Sequence, residues 1–210
     1  MSNPAKTIAF QGAPGAYSDM ACRTAYPEMT TLPCRTFGDA FTAVHEAAAA
    51  LAMIPIENSV AGRVADIHHL LPESGLHIVA EHFQRVKHHL LGVKGAKIQD
   101  LTHVHSHVHA LPQCRKLIAE LGLEPVVHAD TAGAAADVAA MGNKTQAAIG
   151  SKLAAELDGL VSLREGIEDA EHNTTRFAVM ARKAQVPLPV QMLPSAIATG
   201  RKTDKEGGRK

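Results

Sequence analysis

Short apolar runs alternate with stretches of helical spacing along the chain. Thr7 to Phe10 reads as a buried strand closed by Gln11-Gly12-Ala13-Pro14-Gly15, and a helix is expected from Ser18, as N-cap, to about Pro27. Leu32 to Phe37 is a weaker strand, and Gly38-Asp39 opens an Ala-rich helix reaching about Ala50. Leu51 to Ile56 is a second core strand with Pro55 at its edge or end, and Arg63 to Leu71 is helical up to Pro72. The rhythm then repeats. Leu76 to Arg85, His89 to Val93, His103 to Ser106, Pro125 to His128, Ala147 to Gly150 and Arg176 to Ala181 read as strands. Ala110 to Leu121, Thr131 to Met141 and Lys152 to Leu157 read as helices. This alternation predicts an α/β fold with mainly parallel sheets, arranged as two small α/β lobes with a cleft between them.

Ligands of open α/β sheets sit beyond the carboxyl ends of strands. The polar clusters Gln11 to Ser18, Glu57 to Gly62, Ser106 to Gln113 and Asn173 to Phe177 all fall at such strand ends or entries, which predicts one shared site. After Arg182 the pattern collapses, and 186–210 reads as a polar tail or truncated linker.

Composition narrows the function. Apolar residues make up 46% of the 210, enough for a packed core, so a disordered chain is excluded. Lys and Arg number 21 and so do Asp and Glu, so no net field grips a polyanion; with 3% aromatics and no Trp, nucleic acid is not an expected partner. No run approaches the ~18 apolar residues that span a bilayer, and the N-terminus lacks a signal-peptide pattern, so a cytoplasmic, membrane-free protein is expected. Cys22, Cys34 and Cys114 are odd in number and widely spaced, which suits packed thiols rather than disulfides or a thiolate metal site.

Each cluster has two readings. The glycine-bearing turn after the first strand is either an anion cradle or simply a tight turn. Glu57-Asn58-Ser59 offers an acid, an amide and a hydroxyl to a ligand, or else caps the next helix. His103, His105, His107 and His109 recur at period two, which on a strand would align imidazoles for a metal; a strand-to-helix turn beginning at Ser106 would scatter them, and no acid nearby completes a ligand set. Asn173-Thr174-Thr175-Arg176-Phe177 brings an amide, two hydroxyls and a guanidinium to a strand entry, for catalysis or for capping.

Together these blocks resemble the prephenate dehydratase family. Phe10 to Ser18, Ile54 to Ser59, Ser106-His107 with Gln113, and Thr175-Arg176-Phe177 carry the resemblance in order, with Asp130-Thr131-Ala132 and Ala147 to Gly150 between them. It spans about Ile8 to Ala181. The resemblance implies a catalytic domain over 1–185, similar in fold to type II periplasmic binding proteins, with lobe 1 at about 1–78 plus 178–185, lobe 2 at about 79–177, and the active site in the cleft. It implies a lyase converting prephenate to phenylpyruvate, water and carbon dioxide in phenylalanine biosynthesis, with neither cofactor nor metal, acting as a homo-oligomer, expected to be a dimer. Thr175 is then the catalytic residue at the departing hydroxyl; Asn58, Ser59, Ser106, Gln113 and Arg176 bind substrate, and Glu57 is a candidate proton source. Family members commonly carry a C-terminal ACT regulatory domain, for which the residues after Arg182 leave no room. The competing expectations are a two-lobed small-anion binding domain without turnover and a metal-dependent hydrolase built on the histidine run.

Overall fold

The computed structural model describes residues 3–184, so the segment 186–210 lies outside the described residues. The first half forms β1 (Thr7–Gln11), α1 (Tyr17–Ala25), β2 (Thr30–Cys34), α2 (Phe37–His45), β3 (Leu51–Asn58), the two-residue β4 (Gly62–Arg63), α3 (Ala65–Glu73) and β5 (His77–Arg85). The second adds β6 (His89–Gly92), β7 (His103–His107), α4 (Arg115–Leu121), β8 (Glu124–His128), α5 (Thr131–Met141), β9 (Gln146–Gly150), α6 (Lys152–Asp158), β10 (Val161–Glu165) and β11 (Thr174–Ala181).

Two sheets result. One has the order β2-β1-β3-β11-β5, with β4 paired to β3, and the other has the order β10-β6-β9-β7-β8. Helices cover both faces of each. In the first lobe, Ala21 and Cys22 of α1 pack with Phe10, Met53, Phe177 and Val179 on one face, while Phe41, Val44 and Ile67 of α2 and α3 pack with Ile54, Ala178 and Met180 on the other. In the second lobe, Leu117 of α4 meets Leu90, Val104 and Ile149, and α5 with α6 covers Leu91 and Ala148. The two-lobed α/β architecture expected above is therefore present.

The sheets are mixed rather than mainly parallel. β1 runs parallel to β2 and β3, and β7 to β8 and β9, but β11 is antiparallel to β3 and β5, as β6 is to β9 and β10. The reason is connectivity. No helix separates β5 from β6 or β10 from β11, so neither join is constrained to a parallel crossover. The lobe boundaries move accordingly. β5 and β11 both lie wholly in the first sheet, so the chain crosses at 86–88 and returns at 166–173, not near 78 and 178. The crossings are tied together: Val86 N–H donates to Asn173 C=O at 2.9 Å, and Ile167 N–H to His88 C=O at 3.1 Å.

Three local expectations also change. Ser18 does not cap α1; Ala16 precedes the helix with no side-chain bond, and the buried Asp19 instead takes the Gly15 N–H at 2.9 Å. The helix expected from Ala110 splits into a 3-10 turn over Leu111–Cys114 and α4, whose first N–H groups, from Arg115 and Lys116, donate to the Asp169 carboxylate at 3.0 and 3.2 Å. The edge strand β10, whose Val161-Ser162-Leu163-Arg164 does alternate, adds to the strands expected from the sequence.

Candidate active site

The carboxyl end of β3 and the start of β11 are neighbours in the first sheet, with Asn58 directly opposite Thr175. A bulge falls between Arg176 and Phe177, where Arg176 faces Glu57 and Phe177 faces Pro55. Opposed residues share a face, so Asn58, Thr175 and Gln84 lie on the α1 side of the sheet together with Phe177. Asn58 Nδ2 donates to Thr175 Oγ1 at 2.9 Å and to Asn173 Oδ1 at 2.8 Å.

This amide has its orientation set by backbone. Asn58 Oδ1 accepts the N–H groups of Val60 at 2.9 Å and Ala61 at 2.8 Å, so Nδ2 must face Thr175. Thr175 Oγ1 thereby accepts a bond, and among the described residues no acceptor takes its own hydrogen. That hydrogen is left to offer a ligand.

A second anchor lies across the cleft. Gln113, in the 3-10 turn after β7, donates Nε2–H to the His109 carbonyl at 2.8 Å. Its Oε1 therefore points back to accept Asn173 Nδ2 and a contact from His88 Nε2 at 3.2 Å. Asn173, 1% exposed, thus joins Asn58 of one lobe to Gln113 of the other, each bond running from an amide N–H to an amide oxygen. His88, in the outgoing crossing, is 2% exposed, and burial lowers its pKa below the ordinary value near 6.5, partly offset by the Gln113 bond. Tyr17, the first residue of α1, puts its hydroxyl 2.9 Å from His88 Nδ1 and 2.8 Å from the Lys87 carbonyl.

The remaining expected residues are placed as follows. Ser59 pins the loop rather than facing Thr175: its hydroxyl donates to His172 C=O at 2.7 Å and accepts Thr174 N–H at 3.0 Å. Ser106 is fully buried, with its hydroxyl donated to Ile149 C=O at 2.7 Å. Arg176 and Glu57 alternate to the opposite face from Thr175, where Arg176 pairs with Glu81. The structure thus links Thr175, Asn58 and Gln113 through Asn173, while the Ser106 hydroxyl bonds within the second sheet and Arg176 and Glu57 lie on the other face of the first. The sequence marks Asn173 and Tyr17 only as members of their blocks and gives His88 no role, because one His of the His88-His89 pair after a strand carries no motif.

The glycine turn proves to be an interlobe contact. Gly15 has φ +88, and a Cβ there would meet the Ala154 Cα of the other lobe at 2.8 Å. Its N–H is taken by Asp19 and is not free to cradle an anion, and its carbonyl accepts the Ser151 hydroxyl at 2.5 Å. The histidine run does not converge. His105 bonds His128 at 2.9 Å and Gln146 at 2.7 Å, His103 sits 3.5 Å from Glu124, and His107 meets His109 edge-on. Among the described residues no group of three or more His, Cys, Asp or Glu side chains is disposed to hold a metal ion. A cavity of about 530 Å³ opens elsewhere on the first lobe, between Arg35, Thr36, Asp66 and His69, and none of the clustered amides lines it. Cys22 and Cys114 are buried and Cys34 half-buried, all three as free thiols.

Comparison with known proteins identifies the family. A family model described as prephenate dehydratase matches residues 8–185. A bifunctional N-acyl-homoserine lactone acylase/prephenate dehydratase of Komagataeibacter europaeus is 57% identical over 188 residues, covering 89% of this chain and 67% of that protein. Chloroplastic arogenate dehydratase/prephenate dehydratase 1 of Arabidopsis thaliana is 43% identical over 180 residues, covering 86% of this chain and 46% of its own length. Among solved structures, the prephenate dehydratase of Arthrobacter aurescens in complex with L-Phe superposes with a TM-score of 0.80 at 28% identity, over 87% of this chain and 62% of that one. The chain spans about two thirds or less of each of these proteins. With the family model running through both lobes and both crossings, the chain belongs to the prephenate dehydratase family.

Proposed function

We propose that the chain catalyses the decarboxylative dehydration of prephenate to phenylpyruvate, a step of phenylalanine biosynthesis, at the Thr175–Asn58–Asn173–Gln113 cluster. The observation that carries this is the direction of one hydrogen bond: Asn58 donates to Thr175, so the threonine hydroxyl hydrogen is free for the substrate. As the ring carboxylate leaves as carbon dioxide, its bonding electrons aromatise the ring and the ring C–O bond breaks with its electron pair on oxygen. That oxygen takes one proton and departs as water. Thr175 is too weak an acid to give up its proton outright; it stabilises the charge growing on the leaving oxygen, and water supplies the proton. The Asn58 bond polarises the hydroxyl and aims it, while Gln113 and Asn173 hold that amide from the other lobe. Arg176 and Glu57 then stiffen the sheet from its far face rather than hold substrate.

The neutral character of the cluster fits a reaction whose driving force lies in the substrate, and a tightly held ring carboxylate would resist its own loss. Arogenate differs from prephenate by an amino group in place of a carbonyl, and the plant relatives' names make it the second substrate to assay. The acylase in the bacterial relative's name makes an N-acyl-homoserine lactone the third. A hydrolase would need a base within reach of its nucleophile, whereas the side-chain partner of Thr175 is an amide. With balanced charge and, among the described residues, no helix long and apolar enough to cross a membrane, we place the activity in the cytoplasm. Ile78 and Phe83, 57% and 56% exposed on β5, favour a homodimer.

Purified protein mixed with prephenate at neutral pH should yield phenylpyruvate, read by its absorbance in alkali against a protein-free blank. Thr175→Ala should abolish turnover and leave prephenate binding largely intact. Prephenate binding without turnover would favour a small-anion binding domain, and fatty-acid release from the lactone without phenylpyruvate would favour the acylase.

A further inference from the structure

We propose that Tyr17 and His88 form a positioning pair that lets the first lobe set the orientation of Gln113, and through it the aim of the Thr175 hydroxyl. The inference rests on the dehydratase reading given above and assigns a role to two residues outside the cluster that meets substrate.

The hydrogen bonds carry a direction that can be followed from both ends. At one end the Val60 and Ala61 N–H groups force Asn58 Oδ1 to accept, so Asn58 Nδ2 donates to Asn173 Oδ1, and Asn173 Nδ2 must face Gln113 Oε1. At the other end the His109 carbonyl forces Gln113 Nε2 to donate, so Gln113 Oε1 is again an acceptor. The two backbone anchors agree at Gln113 Oε1. An acceptor there requires His88 Nε2 to carry a hydrogen. A neutral imidazole then has a bare Nδ1, and the group 2.9 Å from it is the Tyr17 hydroxyl, whose single hydrogen lies between two acceptors, Nδ1 and the Lys87 carbonyl at 2.8 Å. Burial raises the Tyr17 phenol well above its ordinary pKa, so the hydroxyl keeps its hydrogen, and burial likewise keeps His88 neutral.

The pair is placed to report lobe position. Tyr17 opens α1 and belongs to the first lobe, while His88 lies where the chain enters the second. His88 has little freedom of its own: its N–H donates to Glu168 Oε2 at 2.9 Å, its C=O accepts Ile167 N–H, and its ring meets Tyr17 edge-on at 5.4 Å. A movement of α1 relative to the second lobe must therefore break the Tyr17 contact or turn the ring. Turning the ring removes the Nε2 donor from Gln113 Oε1, leaving Asn173 as its sole partner. Neither residue needs to touch substrate, so each is a positioning residue.

The test uses the full chain with prephenate and arogenate as substrates. Tyr17→Phe keeps the ring and loses the hydroxyl; it should lower kcat about tenfold, with KM within twofold and the melting temperature little changed. In a Gln113→Ala background the same substitution should cost nothing more, because its effect passes through Gln113. His88→Gln, which can return an amide N–H to the Nε2 position, should retain more activity than His88→Asn, which cannot reach Gln113. Multiplicative losses in Tyr17→Phe/Gln113→Ala overturn the inference, as do equal losses in the two His88 variants or losses that follow melting temperature. A wild-type chain that turns over neither substrate removes the dehydratase reading and this inference together; an active wild type with multiplicative losses removes this inference alone.

Discussion

At Asn58 one side-chain amide does two things at once. Its oxygen closes the turn after β3 by accepting two backbone N–H groups, and its nitrogen supplies Thr175 with a donor. Asn58→Asp keeps the first role and inverts the second. A carboxylate oxygen facing Thr175 Oγ1 would draw the threonine hydrogen onto itself and away from any substrate. We expect an intact fold, seen by circular dichroism, with kcat down about 100-fold or more, the scale of losing one transition-state donor. Near-wild-type kcat would show that the direction of this bond is immaterial. The histidines act on stability. Burial depresses His82, His88, His89 and His107, so below about pH 6.5 the unfolded chain binds more protons than the folded one. Their contribution is fully present above that pH and is lost as pH falls through the depressed values. Urea midpoints should be flat from about pH 7 to 8 and should drop towards pH 5. A midpoint that rises on acidification would contradict the sign.

Among the elements, the turn from β1 to α1 has the strictest steric requirement. Gly15 adopts a positive φ and its Cα lies against the Ala154 backbone at the start of α6. Gly15→Ala meets both obstacles, the left-handed conformation and a contact that backbone cannot relieve by a rotamer change. A cost of about 1–3 kcal/mol is expected from the strain. Because Ser151 and Tyr17 dock beside it, kcat should fall as well. Denaturant melts and steady-state kinetics on the same preparation check both, and an Ala variant of unchanged stability would mean the lobes part freely there. Parts of this geometry were legible in the residues. The strand–glycine–helix order located the turn, and the Glu-Asn-Ser and Thr-Arg-Phe blocks located two strand ends. The bulge between Arg176 and Phe177 was not legible, since nothing in either strand alone specifies which residue of its partner it faces. Nor was the capping of α4 by Asp169, some fifty residues away in sequence.

Over the whole molecule, the two lobes differ in how they are assembled. Every strand of the second sheet comes from residues 89–165, whereas the first sheet holds β11, drawn from the far end of the chain, between β3 and β5. A fragment of residues 86–173 should fold alone, with cooperative thermal unfolding by circular dichroism. A fragment of residues 1–85 should not, because without β11 its β5 has no neighbour among the described strands. Cooperative folding of 1–85 and disorder of 86–173 would reverse this account.

The order of apolar and polar positions determined by itself where most strands and helices begin and end, that there are two halves, and that four polar clusters sit at strand ends. It does so because side-chain periodicity is a local property, set by neighbours within a few residues. The motif blocks went further and identified the family, and the resemblance singled out Asn58, Gln113 and Thr175, which the structure links through Asn173. Only the tertiary structure decided that β11 inserts antiparallel in the first sheet, which moves both lobe boundaries, that the Ser106 hydroxyl is spent on Ile149, and that Arg176 and Glu57 lie on the opposite face from Thr175. Only it joined Asn173, His88 and Tyr17 to that cluster. The physical reason is that these are pairings between residues 25 to 117 positions apart, and a hydrogen bond's direction depends on every other donor and acceptor around it.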